Sequence, residues 1–204
     1  MKYSVITFGC RVNQADSLAI EDELRARGGT AAPPHEADVV IVNSCSVTAS
    51  ADQGTRQTVR RIARANPDVR VVVTGCYATR RPDEIATLPN VLRVVPNGRK
   101  EQLAAAVAAD VAGQQRVAGS ELTTAERFGD GEGACGGTLE PGVAGRTALT
   151  LRVQTGCDEP CSYCIIPTTR GKSRSLPLDE IARLAALKDA EINDAKKVLA
   201  FEAT

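Results

Sequence analysis

Three cysteines stand close together near the carboxyl-terminal end of the sequence, in the segment Cys157-Asp-Glu-Pro-Cys161-Ser-Tyr-Cys164. Thiolates at this spacing can surround one compact metal site, and they predict three of the four ligands that a [4Fe–4S] cluster usually has. The fourth iron would stay open to another ligand, as a catalytic zinc keeps an open position. Zinc is the alternative, although zinc loops usually come as paired C-x-x-C knuckles and no second knuckle follows. Incidental thiols are the weakest interpretation at this spacing.

A second set of cysteines is spread along the first part of the sequence. Each of Cys10, Cys45 and Cys76 follows the end of an apolar segment that predicts a strand. The carboxyl ends of parallel strands share one edge, where ligands bind, so we expect these three thiols to converge. Small residues precede them and would let the backbone approach a bulky ligand: Gly9, Ser44 and Gly75. The set predicts a second three-cysteine cluster, with buried cysteines acting as small hydrophobes as the alternative.

The remaining cysteine and the composition narrow the class of protein. Cys135 lies in a Gly-rich stretch that gives it no partners, and we interpret it as incidental. The sequence lacks a secretory signal and any apolar run long enough to cross a bilayer, which favours a cytoplasmic protein without a membrane partner. Seven cysteines in that compartment favour metal binding over disulfides. The formal net charge of +0 gives no global attraction to nucleic acid, and no DNA partner is expected.

The elements that must position the first cysteine set alternate between strand and helix. Apolar runs predict strands at residues 3–8, 38–42, 69–73 and 91–95, and amphipathic patterns predict helices at 14–27, 50–65, 82–88 and 99–111. Strands that are apolar throughout, separated by such helices, indicate a parallel sheet covered on both faces. We therefore predict an α/β domain with a parallel sheet over residues 1–112.

The rest of the chain has a different character. Residues 113–146 are rich in Gly, Glu, Ala and Thr, which predicts a flexible linker. A new strand is predicted at residues 147–153, leading directly into the cysteine loop, and a helix follows from Pro177 to about Ala190. Residues 147–204 are therefore predicted to begin a second structural unit.

Taken together, these motifs resemble the methylthiotransferase family of radical S-adenosylmethionine enzymes. The C-x-x-x-C-x-x-C triad is the signature of the radical class, and the sequence continues in the manner of the family through residues 164–167 and 170–175. Segments 9–17, 43–48 and 74–76 resemble the N-terminal domain of the family. Val47-Thr48, Ala51-Asp52 and the arginines that follow are most similar to the branch acting on threonylcarbamoyladenosine in tRNA. A relative that acts on a ribosomal protein is the alternative within the family.

The resemblance implies a transferase with two [4Fe–4S] clusters and S-adenosyl-L-methionine as cofactors. Cys157, Cys161 and Cys164 would hold the radical cluster, whose open iron binds S-adenosylmethionine and yields a 5′-deoxyadenosyl radical. That radical would take hydrogen from C2 of N6-threonylcarbamoyladenosine beside the anticodon. An auxiliary cluster would supply the sulfur, held by Cys10, Cys45 and Cys76. A second S-adenosylmethionine would supply the methyl group, tRNA would be the partner, and flavodoxin or ferredoxin would donate electrons.

Other polar residues near the cysteines have two interpretations each. Asn13 and Asp16 would order the loop after Cys10, or would serve as a helix N-cap and a first-turn acid. Basic residues after the second triad would meet tRNA phosphate or would form a solvated loop: Arg170, Lys172 and Arg174. The same choice applies to arginines on one side of a predicted helix: Arg56, Arg60, Arg61 and Arg64.

The resemblance covers residues 2–182 and then fades. Family members continue through a partial α/β barrel and a small RNA-binding β-barrel, so we expect residues 147–204 to be the first βα unit of an incomplete radical barrel and the chain to be truncated. A single βα unit cannot bury its own apolar face. We therefore expect weak cluster binding at the second triad and no turnover by this chain alone. A non-catalytic iron–sulfur carrier and a zinc-binding interaction module stay open as alternatives.

Overall fold

A five-stranded parallel sheet forms the centre of the structure, a computed structural model that describes residues 1–113, 153–183 and 185–186. Its strands are β1 (Lys2–Thr7), β2 (Thr30–Ala31), β3 (Val39–Ser44), β4 (Arg70–Gly75) and β5 (Val91–Val95). The order across the sheet is β2-β1-β3-β4-β5, and every neighbouring pair is parallel. The prediction of a parallel α/β fold is confirmed.

Helices follow the strands and cover the sheet. They are α1 (Arg11–Ala26), α2 (Ala49–Ala65), α3 (Cys76–Arg80), α4 (Pro82–Ala86) and α5 (Leu103–Gly113), with a 3₁₀ helix at Asn97–Gln102 before α5. The first helix begins three residues earlier than the apolar pattern predicts, because Gly9 turns the chain at a φ of +93° and the extended Cys10 becomes the N-cap. The predicted helix from Arg99 divides into the 3₁₀ helix and α5.

The central strands are buried on both faces. Four successive residues of β3, Val39 to Val42, are all 0% exposed. Because successive side chains point to opposite faces of a sheet, they divide between two apolar clusters. One cluster contains Val59 and Ile62 of α2, and the other contains Leu24 of α1 and Leu103 of α5. Burial on both faces accounts for the continuous apolar strands and fixes the edge from which the cysteine loops leave.

The strand order reverses at β1, which has β2 on one side and β3 on the other. In an open parallel sheet such a reversal leaves a crevice beyond the carboxyl ends of the two strands that flank it, here β1 and β3. The connections that leave these two strands run in opposite directions across the sheet. The topology therefore places a ligand-binding crevice next to Cys10 and Cys45.

The second described segment encloses the second cysteine set. It contains β6 (Gln154–Thr155), α6 (Ile166–Arg170) and β7 (Arg174–Ser175), and β6 pairs with β7 in antiparallel fashion. Residues 178–183 are helical, as predicted. The predicted strand at 147–153 lies outside the described residues except for Val153, which is not in a strand. Residues 114–146 of the predicted linker and 187–204 of the predicted second unit also lie outside them.

Among the helices of residues 1–113, 153–183 and 185–186, none combines the length and the apolar character needed to cross a bilayer.

Candidate metal centre

The first cysteine set lies where three neighbouring strands end. Cys10 follows β1, Cys45 comes directly after β3 and Cys76 directly after β4. The Cys45 thiol lies close enough to both other thiols to interact with them electrostatically. Cys45 and Cys76 are 4% and 3% exposed, whereas Cys10 is exposed to solvent. The sheet therefore brings three thiols together in a site that is closed on the protein side and open at Cys10.

Two glycines allow the backbone to pass close to this site. A Cβ atom at Gly9 would lie 2.5 Å from the Sγ of Cys45, and the φ of Gly9 is +93°. A Cβ atom at Gly75 would lie 2.1 Å from the carbonyl oxygen of Ser44, and the φ of Gly75 is +97°. Only glycine accepts both the close contact and the positive φ. The local geometry therefore requires glycine immediately before Cys10 and immediately before Cys76.

The protonation of Cys45 depends on what the site holds. Burial raises the pKa of the Cys45 thiol, and the nearby Cys76 and Cys10 thiols raise it further, against backbone N–H groups of Val47 and Ser46 that lower it. A cationic metal centre reverses this effect, because a thiol that binds a metal gives up its proton. We therefore expect the Cys45 thiol to keep its proton in the metal-free site and to release it when a metal binds.

A single metal ion and an iron–sulfur cluster place different demands on the spacing of their thiol ligands. In the described part of the chain, no three His, Cys, Asp or Glu side chains are as close together as one metal ion requires. Zinc binds sulfur at about 2.3 Å and draws its ligands into one small tetrahedron. In an iron–sulfur cluster each cysteine binds a different iron, so the ligands stand further apart. A cluster with three cysteine ligands therefore stays the prediction for Cys10, Cys45 and Cys76, with zinc as the alternative.

Asn13 connects two of the cysteine loops from within α1. Its side chain is 0% exposed, and Nδ2 donates to the carbonyl oxygens of Phe8 and Ser44, each at 2.9 Å. Asn43 Nδ2 in turn donates to the Asn13 carbonyl oxygen at 2.8 Å. The interpretation of Asn13 as an N-cap is wrong, because Cys10 occupies that position, and α1 has no acidic residue in its first turn. Asn13 instead holds the loops after β1 and β3 together.

Asp16 lies between two buried cations. Its Oδ2 accepts from Lys100 Nζ at 2.8 Å and from Arg170 at 3.0 Å. Burial lowers the pKa of Lys100, and Asp16 opposes that shift. Burial also acts to lower the pKa of Arg170, but Asp16 and the Cys76 and Cys10 thiols outweigh it and raise that pKa. Two cations and one carboxylate thus lie beside the thiols, an arrangement that favours a negatively charged cluster.

Lys100 and Asn97 were not predicted as site residues. Both lie in the 3₁₀ helix that follows β5, at the same sheet edge as the cysteines. Asn97 Nδ2 lies 3.6 Å from the Cys76 Sγ and donates to the carbonyl oxygen of Thr169 at 2.8 Å. Their position after a strand is the signal that could have identified them, since ligand-binding residues follow the carboxyl ends of parallel strands.

The second cysteine set lies in a loop closed by its own backbone. Cys157 N donates to the Gly171 carbonyl oxygen at 3.1 Å, and Cys164 N donates to the Cys161 carbonyl oxygen at 3.1 Å. Cys161 is exposed and Cys157 and Cys164 are half-buried, while Tyr163 beside them is 91% exposed. The three thiols therefore lie on a compact loop with an open outer face.

The basic residues after this loop do not share one role. Arg170 is predicted to contact RNA phosphate, but its side chain is only 6% exposed and binds Asn13 and Asp16, so that prediction is wrong. Lys172 is exposed and Arg174 is half-buried. On α2, Arg56 contacts Tyr77 and Glu84, whereas the other predicted arginines are exposed: Arg60, Arg61 and Arg64. Of the basic residues predicted to contact tRNA, the exposed ones are therefore Lys172 and the three arginines of α2.

Comparison with known proteins gives one family and several relatives. Residues 2–96 match the family model described as "Uncharacterized protein family UPF0004". A Rickettsia prowazekii protein named threonylcarbamoyladenosine tRNA methylthiotransferase MtaB is 31% identical over 98% of this chain and 42% of its own length. A Bacillus subtilis protein of the same name is 33% identical over 88% of this chain and 39% of its own length. A Sorangium cellulosum tRNA-2-methylthio-N(6)-dimethylallyladenosine synthase is 36% identical over 91% of this chain. The chain spans about two fifths of the length of such relatives.

Proposed function

Because the chain belongs to the methylthiotransferase family, we propose that it acts in the methylthiolation of a tRNA adenosine. The relatives are named as transferases that modify tRNA. The observation that carries the proposal is the convergence of Cys10, Cys45 and Cys76 at one sheet edge, next to a second three-cysteine loop. Two separate three-thiol sites in one chain suit a reaction that needs two clusters.

Each cysteine set would hold one [4Fe–4S] cluster. When bound, the clusters would supply the electron that cleaves S-adenosylmethionine and the sulfur that enters the base. Cys157, Cys161 and Cys164 would hold one cluster from a loop whose outer face is exposed. Cys45 and Cys76 would bind the other cluster from the buried side, while the exposed Cys10 lies at its opening. Asn13 would keep the two loops in register as the cluster enters.

For the substrate we propose C2 of N6-threonylcarbamoyladenosine beside the anticodon. Support comes from the motif that follows Cys45, in which Val47 is 62% exposed. Asp52 in the same motif is buried, accepts a hydrogen bond from Ser46 Oγ at 2.7 Å and pairs with Arg80. It therefore stabilises the loop between Cys45 and α2. The exposed Lys172 and the exposed arginines of α2 would meet tRNA phosphate. A cytoplasmic flavodoxin or ferredoxin would supply electrons.

A chimeric enzyme tests this proposal. Residues 1–183 of this chain replace the matching segment of the Bacillus subtilis relative, in a strain that lacks its own enzyme. We expect 2-methylthio-N6-threonylcarbamoyladenosine in hydrolysed tRNA by mass spectrometry, and none when Cys10, Cys45 and Cys76 are all changed to alanine. Methylthiolation of dimethylallyladenosine instead would support the proposed reaction but contradict the proposed substrate nucleoside. A soluble chimera that binds iron but modifies neither nucleoside would contradict the proposal.

A sulfur-carrying iron–sulfur module is the second candidate function. It is favoured by the fact that residues 1–113 contain the whole first cysteine set together with the sheet that positions it. This function predicts transfer of labelled sulfide from the reconstituted chain to a partner enzyme in the absence of S-adenosylmethionine. Sulfur that leaves the chain only when S-adenosylmethionine and tRNA are both present would exclude it.

A further inference from the structure

We propose that Arg170 is a positioning residue that fixes the second cysteine loop against the first cysteine set. Arg170 is the last residue of α6, which begins two residues after Cys164. One guanidinium nitrogen donates to Asn13 Oδ1 at 2.6 Å and to Asp16 Oδ2 at 3.0 Å. These partners lie 157 and 154 residues away along the sequence. A single side chain thus connects the loop of one set to the helix that follows Cys10.

The attachment acts on the whole loop because the loop is closed at the same point. Gly171, the residue after Arg170, accepts from the Cys157 amide at 3.1 Å. A Cβ atom at Gly156 would lie 1.9 Å from the Lys172 carbonyl oxygen, so the two ends of the loop are in direct contact. Movement of Arg170 would therefore carry the first cysteine of the loop with it.

A second contact joins α6 to the 3₁₀ helix that follows β5. Asn97 Nδ2 donates to the Thr169 carbonyl oxygen at 2.8 Å, and the Asn97 amide donates to Thr79 Oγ1 at 2.9 Å. Thr169 is 2% exposed and Arg170 is 8% exposed, although most of the loop before them faces solvent. Within residues 153–176 the buried residues are Thr169, Arg170 and Gly171, so the burial of this segment is concentrated where α6 ends.

The charges favour an attachment that persists. The Asp16 side chain is 1% exposed and accepts hydrogen bonds from Arg170 and Lys100, whose side chains are 6% and 9% exposed. Charged hydrogen bonds that are shielded from water are among the stronger contacts in proteins, and breaking one leaves a buried charge without its partner. These buried contacts keep the second cysteine loop docked even when no substrate is bound. The functional consequence, a fixed relation between two clusters, rests on the proposed function, whereas the docking itself does not.

Hydrogen exchange in the metal-free full chain tests the inference without any cluster. The variants are Arg170→Gln, Arg170→Lys and Asn97→Ala, with Arg61→Gln as a matched control because Arg61 is exposed on α2. We expect Arg170→Gln to accelerate exchange of amides in residues 153–176 by about tenfold or more, while amides of β3 and β4 keep their rates. Arg170→Lys keeps the charge and should restore much of the protection. Arg61→Gln should match the wild type.

Unchanged exchange in residues 153–176 of Arg170→Gln would overturn the inference, and so would equal acceleration in the loop and in β3 and β4, which would make Arg170 a general stability residue. If Arg170→Gln does not fold, Asn97→Ala decides, since it removes the side-chain contacts to Thr169 and to the Cys76 Sγ and keeps the backbone bond to Thr79. Faster exchange confined to residues 153–176 would then support the inference, and wild-type rates would overturn it. Reconstitution with iron is not required, so failure of the proposed function would be a separate result.

Discussion

Changing Asp16 to alanine is expected to lower the free energy of unfolding by about 3–5 kcal/mol. The Asp16 carboxylate accepts from Lys100 at 2.8 Å and from Arg170 at 3.0 Å, and all three side chains are less than one tenth exposed. Its removal leaves two like charges buried side by side without the carboxylate that compensates them. Urea unfolding followed by circular dichroism measures the change.

Glu23→Ala is the matched control for Asp16→Ala. Glu23 lies on the same helix and is exposed, so its loss should change the free energy of unfolding by no more than about 0.5 kcal/mol. A small effect of Asp16→Ala, equal to that of Glu23→Ala, would mean that the two cations find water or other partners. The buried charge cluster would then not contribute to the stability of the fold.

Changing Gly75 to alanine is expected to destabilise the chain by at least about 3 kcal/mol and to distort the loop of Cys76. The new Cβ would lie 2.1 Å from the Ser44 carbonyl oxygen and 2.7 Å from the Ser44 nitrogen, both backbone atoms of the neighbouring strand. Neither atom can move without breaking the pairing of β3 with β4, in which Ser44 and Gly75 are partners. Urea unfolding measures the loss.

Gly28→Ala separates this collision from the cost of a positive φ. Gly28 has a φ of +81°, similar to the +97° of Gly75, but nothing lies within 4 Å of its Cβ position. We expect Gly28→Ala to cost about 1–2 kcal/mol, which is the price of the left-handed conformation alone. Equal losses in both variants would contradict the account of close packing at the Cys76 strand end.

The sequence was sufficient to predict the sheet and the convergence of the first cysteine set. Continuous apolar segments such as Val39–Val42 fit only strands that are covered on both faces, and parallel strands necessarily end at one edge. The start of α1 was harder to predict. Asn13 is a good N-cap residue type, and the pattern did not reveal that the positive φ of Gly9 would make Cys10 the N-cap.

The roles of the polar residues required the folded structure. Arg170 follows a cysteine loop among other basic residues, a pattern typical of phosphate contacts, yet it is buried against residues more than 150 positions away. No local pattern encodes such a contact, because it depends on where α6 meets α1. The same holds for Lys100 and Asn97, which carry no motif and reach the site only through the position of the 3₁₀ helix after β5.

Iron and sulfide per chain after anaerobic reconstitution test the central claim, that Cys10, Cys45 and Cys76 hold a cluster. The proteins compared are the wild type, the variant with these three residues changed to alanine, and Cys135→Ala as the control for loss of a cysteine. We expect the triple variant to bind about four fewer irons than the wild type, with a matching loss of sulfide, and Cys135→Ala to bind as much as the wild type. A triple variant that retains all the iron of the wild type, or a wild type that binds zinc and no iron, would contradict the claim.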